Sequence, residues 1–194
     1  LKNTAAIFTS RNFHLTFGKS IMAKEGPFAG PPELRAEDFN NMFADPNIDA
    51  IFCARGGYGA NRVLPLLNYD MIKENPKIFI GYSDITAYLT SITQKTELIT
   101  FHGPMLVSYK HGFIDYNFDH MMKALTKTEN IVISTPKGFD PHILKKGTAK
   151  GPLWGGNLSL VMNRLGTDGQ INTTGCILFL EDLDEYLYSF ERML

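Results

Sequence analysis

Lys77-Ile-Phe-Ile-Gly-Tyr-Ser-Asp-Ile-Thr86 is the stretch on which the fold turns. Ile78, Phe79 and Ile80 form a short apolar run between Pro76 and Gly81, which suits a buried strand. From Asp84 onward the pattern changes, and Ile85, Leu89 and Ile92 recur at helical spacing. Ser83 therefore sits at a strand-to-helix junction. Such a turn lifts a hydroxyl clear of the sheet and aims unpaired helix N–H groups beside it. The helix dipole at that end favours developing negative charge. Two readings of Ser83 follow: a nucleophile, or a cap of the helix. The pattern Gly81-x-Ser83-x-Ile85 lacks the second glycine of the G-x-S-x-G elbow.

Working outward, Ile48 to Ala54 reads as a strand, followed at once by Arg55-Gly-Gly-Tyr-Gly59 and a helix from Ala60 to Leu67. Upstream, Leu1 to Ser10 reads as the end of a helix and His14 to Gly18 as a short strand. Ile21 to Pro32 has loop composition, and Glu33 to Phe43 forms an amphipathic helix with Leu34, Phe39 and Met42 near one face. Downstream come a short helical piece after Asp70, the helix from Asp84 to Lys95, a strand at Leu98 to Phe101, a helix at Phe118 to Leu125 and a strand at Ile131 to Ile133. Strands alternating with helices at this spacing imply βαβ units and a mainly parallel sheet. Ligands of such sheets bind beyond the carboxyl ends of the strands, and both glycine turns fall there.

Between Ser134 and Gly151, prolines, glycines and lysines mark a linker or long surface loop. A second unit starts near Leu153 with Gly155-Gly-Asn-Leu158, a short helix to Leu165 and an apolar strand from Cys176 to Leu180. The expected organisation is an α/β domain over 1–135, a linker over 136–152 and the start of a smaller β/α domain over 153–194. A piece of about 45 residues is small for a stable domain, so the chain is expected to be a fragment.

The chain has 194 residues, 44% hydrophobic and 20% charged, with a formal net charge of -1. That balance calls for neither nucleic acid nor anionic lipid as a partner. No apolar run reaches the roughly 18 residues of a membrane-spanning helix, and no export signal is visible. Cys53 and Cys176 have no metal-type spacing, and Cys53 in an apolar strand reads as a buried free thiol.

The turn at Arg55 to Gly59 has three readings. Its glycines bring backbone N–H groups close to a ligand, or serve a tight turn needing positive φ, or cradle phosphate; neither phosphate-binding glycine pattern is present. Glu181, at the end of an apolar strand, either orients a histidine or joins Asp182, Asp184 and Glu185 in a solvated acidic turn. Of His14, His102, His111, His120 and His142, none has metal-ligand spacing. His102 lies on the functional edge of the sheet and reads as a turn histidine bonded to backbone ahead of a catalytic base. Trp154, Tyr58, Tyr82 and Tyr88 read as packing ahead of substrate platforms.

In this order, Arg35-Ala36 with Asp38, Arg55-Gly-Gly-Tyr-Gly59, Pro76-Lys77 with Gly81-Tyr-Ser-Asp84 and Thr86, His102-Gly-Pro-Met105, Gly155-Gly-Asn-Leu158, and Leu180-Glu-Asp182 with Arg192-Met-Leu194 resemble the LD-carboxypeptidase family of serine peptidases. The resemblance implies a flavodoxin-like α/β domain, a smaller β/α domain and a site between them. It implies Ser83 as nucleophile and Glu181 as the acidic member of a Ser-Glu-His triad. It implies the N–H groups of Asp84 and Gly57 as oxyanion hole, and Arg55, Gly56, Tyr82 and Asn157 as substrate contacts. The family's histidine lies in a later segment, and none of the five histidines here matches it; the family's first strand is likewise not found before Leu1. The implied activity is release of D-alanine from murein tetrapeptides, without metal or cofactor, by a cytoplasmic homodimer. Competing expectations are a same-family hydrolase of microcin-like acyl adenylates, a phosphate- or nucleotide-binding α/β module, and a non-catalytic peptide binder.

Overall fold

The computed structural model describes residues 2–109, 114–128 and 131–194. Its main sheet has three parallel strands, β1 (Ala50–Phe52), β2 (Ile78–Gly81) and β3 (Phe101–His102), adjacent in that order. Side chains alternate faces along a strand, and the core divides accordingly. Ile51 and Phe79 join one cluster, with Phe43 of α2 (Pro32–Ala44), Ile72 of α3 (Tyr69–Glu74) and Tyr88 of α4 (Thr86–Thr96). Phe52 and Ile80 face the other cluster, with Phe8 of α1 (Lys2–Thr9) and Met121 of α5 (Asp115–Thr126). The strands are thus covered on both faces, which explains why they read as continuous apolar runs.

Phe79 is the hub of the first cluster. Its ring centroid lies 5.1 Å from that of Phe39 and 6.3 Å from those of Phe43 and Tyr88. Phe79→Ala would remove a fully buried ring from between two layers and is expected to destabilise the protein by about 3–5 kcal/mol. Urea unfolding of the two proteins measures this, and a loss well under 1 kcal/mol would contradict the packing.

A second, two-stranded parallel sheet pairs β4 (Leu153–Asn157) with β5 (Ile177–Glu181), joined through α6 (Leu158–Asn163). The last described helix is α7 (Leu187–Met193). The end of β4 docks on the start of α4, where the Asn157 N–H donates to Thr86 Oγ1 at 2.9 Å. The approach requires glycine at 156: φ is +129°, and a Cβ there would come within 2.7 Å of the Thr86 side chain. Arg164 ties the units further, donating to Ser91 Oγ at 2.7 Å and to Asn61 Oδ1 at 3.0 Å. The carboxyl ends of β2 and β5 are thereby brought together. This is the α/β architecture with parallel sheets read from the sequence.

Several elements differ from the sequence reading. Residues 60–67 form two 3-10 turns, Ala60–Arg62 and Leu64–Leu66, instead of a helix. Pro65 has no N–H to continue a helical ladder. Residues 14–18 are not a strand; no described strand lies beside them, and the N–H groups of Lys19 and Ser20 go to the Asp38 carboxylate. β3 is shorter than expected: the Leu98 N–H bonds to Thr96 Oγ1 at the end of α4, and the Thr100 hydroxyl bonds to Leu89 O within α4. Residues 131–133 are not a strand and have no sheet partner among the described residues, and Val132 and Ile133 are 78% and 79% exposed. Both cysteines are free, and burial pushes the Cys53 thiol pKa up to about 12. No described helix is long and apolar enough to cross a membrane.

Candidate active site

β2 ends at Gly81, and Tyr82 is extended with φ -149°. Ser83 then swings to φ +61° and opens a 3-10 turn, Ser83–Ile85, that runs into α4. A side chain held in the left-handed region costs about 1–3 kcal/mol and persists only where its surroundings enforce it. Here the turn at 55–59 supplies the enforcement. A Cβ built on Gly56 would lie 2.9 Å from Ser83 Cβ and 3.1 Å from its Oγ, so the backbone of Gly56 is pressed against the serine. The capping role does not belong to Ser83. Tyr82 and Ile85 occupy the two N-cap positions, and neither makes a side-chain cap bond.

Gly57 and Gly59 stand at φ +128° and +107°, so the tight-turn reading of both is correct. The N–H groups of Gly57 and Asp84 donate to no described residue. They flank Ser83 from two sides: Gly57 through the turn, Asp84 as the next residue in the chain. The far end of the turn is already occupied by an anion, since Ala60 N–H donates to Asp84 Oδ2 at 2.9 Å. That carboxylate, and a following 3-10 turn of only three residues, fit a phosphate cradle poorly. Burial raises the Asp84 pKa, opposed by the N–H groups of Ala60 and Gly59 and by the Arg35 charge.

Glu181 ends β5, in register with Asn157. Its side chain is 25% exposed, and its Oε1 is buried with no hydrogen-bond partner among the described residues. Burial raises its pKa and Asp182 adds to the rise, whereas the Asn157 amide and the Ser83 N–H favour the charged form. Glu181 and Ser83, 98 positions apart, are thus neighbours. Asp182 is not part of a solvated turn. It accepts from Asn157 Nδ2 at 3.0 Å and from the Ser159 and Leu183 N–H groups, both at 2.9 Å. Burial opposes its charge, but these bonds hold its carboxyl below the usual range. Asp184 and Glu185 are exposed, as the acidic-turn reading has it.

The sequence undervalued His102. Its Nε2 faces Glu181 Oε1 across 3.9 Å, and its ring packs edge-on against Phe179 at 5.1 Å. No backbone group bonds its ring nitrogens among the described residues, and burial lowers its pKa. The only cue available in the sequence was its place at a strand end before Gly-Pro. His14 and His142 are exposed, His120 Nδ1 bonds Tyr116 O at 2.8 Å, and His111 lies outside the described residues.

The expected substrate contacts divide. Arg55 is exposed and folds toward Gly57, with no acceptor for its guanidinium among the described residues. Tyr82 packs partly against the core, with its ring 6.2 Å from that of His102. Asn157 is buried and engaged: it caps α6 through Leu160 N–H at 3.2 Å and holds Asp182. Tyr58, by contrast, is 70% exposed, stacked on Phe28 at 5.8 Å beside the turn. No three His, Cys, Asp or Glu side chains gather to hold a metal ion among the described residues.

The chain is similar to known proteins over nearly its whole length. The model of the LD-carboxypeptidase N-terminal domain matches residues 1–103, and that of the C-terminal domain matches 150–194. The chain is 37% identical to a Bacillus subtilis protein named "Probable murein peptide carboxypeptidase", over 99% of this chain and 60% of that one. It is 32% identical to the microcin self-immunity protein MccF of Escherichia coli, over 94% of this chain and 61% of that protein. The crystal structure of muramoyltetrapeptide carboxypeptidase from Oxalobacter formigenes superposes with a TM-score of 0.83 at 28% identity, covering 99% of this chain and 64% of that one. The chain thus spans about three fifths of the length of the curated relatives it matches.

Proposed function

Because the chain belongs to the LD-carboxypeptidase family, we propose that it is the nucleophile-bearing part of a serine carboxypeptidase that removes the terminal D-alanine of murein tetrapeptides. The proposed setting is cytoplasmic wall recycling, and the proposed assembly a homodimer. The observation that carries the reading is the meeting of a strained Ser83, two N–H groups and a buried carboxylate oxygen, the last three unbonded among the described residues.

In the proposed reaction, Ser83 Oγ attacks the carbonyl carbon of the L,D-bond as a histidine takes its proton. In this reading the histidine is the one the family resemblance places in a later segment, because none of the five histidines here matches it. Its second ring nitrogen donates to Glu181, which fixes the tautomer and offsets the imidazolium charge. Oε1 is the buried oxygen that has no hydrogen-bond partner among the described residues. The oxyanion forms against the N–H groups of Asp84 and Gly57, each worth roughly 3–4 kcal/mol in comparable sites. Collapse expels D-alanine as its amine takes the proton from the histidine, and water then releases the acyl group from Ser83. Arg55 is the cation available to the substrate's terminal carboxylate, next to the turn that holds the oxyanion.

Gly56→Ala tests how tightly the turn backs the nucleophile. Its methyl would have to displace Ser83, because both partners are short and held by backbone. Turnover is expected to fall by about 10²-fold, the scale of a 1 Å misplacement, and wild-type rates would contradict the geometry. The function itself is tested by incubating full-length protein with an L,D-tetrapeptide and assaying free D-alanine. Release supports the reading. A well-folded protein that releases none, yet cleaves an acyl adenylate conjugate, would move the assignment to the activity suggested by the similarity to MccF.

A further inference from the structure

The peptide group between Gly59 and Ala60 is gripped from both sides. Its carbonyl accepts from Arg35 Nη1 at 3.4 Å, and its N–H donates to Asp84 Oδ2 at 2.9 Å. The Gly59 N–H also bears on the Asp84 carboxylate. At the other end of the turn, Ala54 O is held by Val107 N–H at 3.0 Å. Between these anchors, no backbone group of residues 55–58 bonds to a described residue. The turn is therefore an arch, fixed at its feet and open along its span.

Asp84 is only 7% exposed. Burying a carboxylate is unfavourable unless its neighbours satisfy it, and here they are the foot of the arch and Arg35. The guanidinium is itself half-committed: Nε and Nη2 are buried without acceptors among the described residues, and its carbon lies 5.6 Å over the Phe28 ring. Arg35 thus offsets the charge of Asp84 without drawing the carboxylate away from Ala60.

The geometry points to the Asp84 side chain as a positioning residue that sets the spacing between the two oxyanion donors, an inference that rests on the serine-hydrolase reading. Asp84 supplies one donor through its own N–H. Its carboxylate grips the arch that carries the other, at Gly57. One residue therefore links both halves of the pocket, and the link does not pass through the substrate. Donors act only when they lie about 2.7–3.1 Å from the developing oxyanion, so a loosened foot costs rate without costing ground-state binding.

Asp84→Ala and Asp84→Asn in the full-length protein test this. In the alanine variant, amide hydrogen exchange at Gly59 and Ala60, whose N–H groups the Asp84 carboxylate holds, should speed at least about tenfold, with β2 and α4 still protected. Its kcat should fall about 10²-fold, the scale of a lost oxyanion donor, with KM within about threefold. The asparagine variant keeps an acceptor for Ala60 N–H and should lose less of both; it also gives the answer if the alanine variant does not fold. Unchanged exchange in the arch, or a raised KM with intact kcat, overturns the proposal. A wild type that releases no D-alanine would sink the hydrolase reading separately, and the exchange result would still decide whether Asp84 grips the arch.

Discussion

Replacing Ser83 by alanine is expected to abolish D-alanine release, lowering kcat by about 10⁴- to 10⁶-fold, as loss of the nucleophile does in comparable triads. The same variant should fold normally. The hydroxyl makes no hydrogen bond to a described residue and caps neither the 3-10 turn nor α4. Alanine meets the same left-handed strain at φ +61° that serine does. Stability is therefore expected to change by less than about 1 kcal/mol, which thermal unfolding would check. Retained turnover in a folded Ser83→Ala protein would remove Ser83 from the chemistry. A collapse in stability would mean that the serine holds the turn instead of acting from it.

Glu181→Gln should lower kcat by about 10³- to 10⁴-fold, the cost of misorienting a triad histidine. The amide keeps the shape of the side chain but cannot offset an imidazolium. Stability should move the other way. The Glu181 pKa is raised, with burial as the largest cause, so the folded state holds its proton more tightly than the unfolded state does. Wild-type stability should therefore decline as pH rises from the ordinary glutamate value to the raised one, and stay level above it. The glutamine variant should lack that decline. A variant with unchanged rate would take Glu181 out of the triad, and an unchanged pH dependence of unfolding would show that its carboxyl is not perturbed.

The parts legible in the sequence are those governed by neighbours in the chain. The apolar run of β2, the glycine turns and the helical spacing of Ile85, Leu89 and Ile92 each follow from local pattern. Residues 14–18 and 131–133 share the β-branched or aromatic character of strands but have no described partner strand, and a ladder cannot form alone. Residues 60–67 kept helical periodicity while Pro65 removed the donor needed to realise it. The candidate nucleophile Ser83 and its candidate acidic partner Glu181 could be picked out by residue type, and the candidate oxyanion donors through the resemblance. What could not be read were bonds across long separations. Ala60 meets Asp84 over 24 positions, Asn157 meets Asp182 over 25, and His102 reaches Glu181 from another sheet. Nothing in the composition of those stretches marks the pairs. Asp182 looked like one more surface charge, and His102 like one more turn residue.

In the proposed reaction Ser83 becomes acylated. The most direct measurement is rapid quenching of full-length protein during turnover of an L,D-tetrapeptide, followed by peptide mapping by mass spectrometry. A tripeptidyl ester is expected on the peptide containing Ser83, absent from Ser83→Ala and slower to form in Glu181→Gln. D-alanine release in which the adduct maps to another residue, or in which Ser83→Ala turns over as fast as wild type, would contradict it.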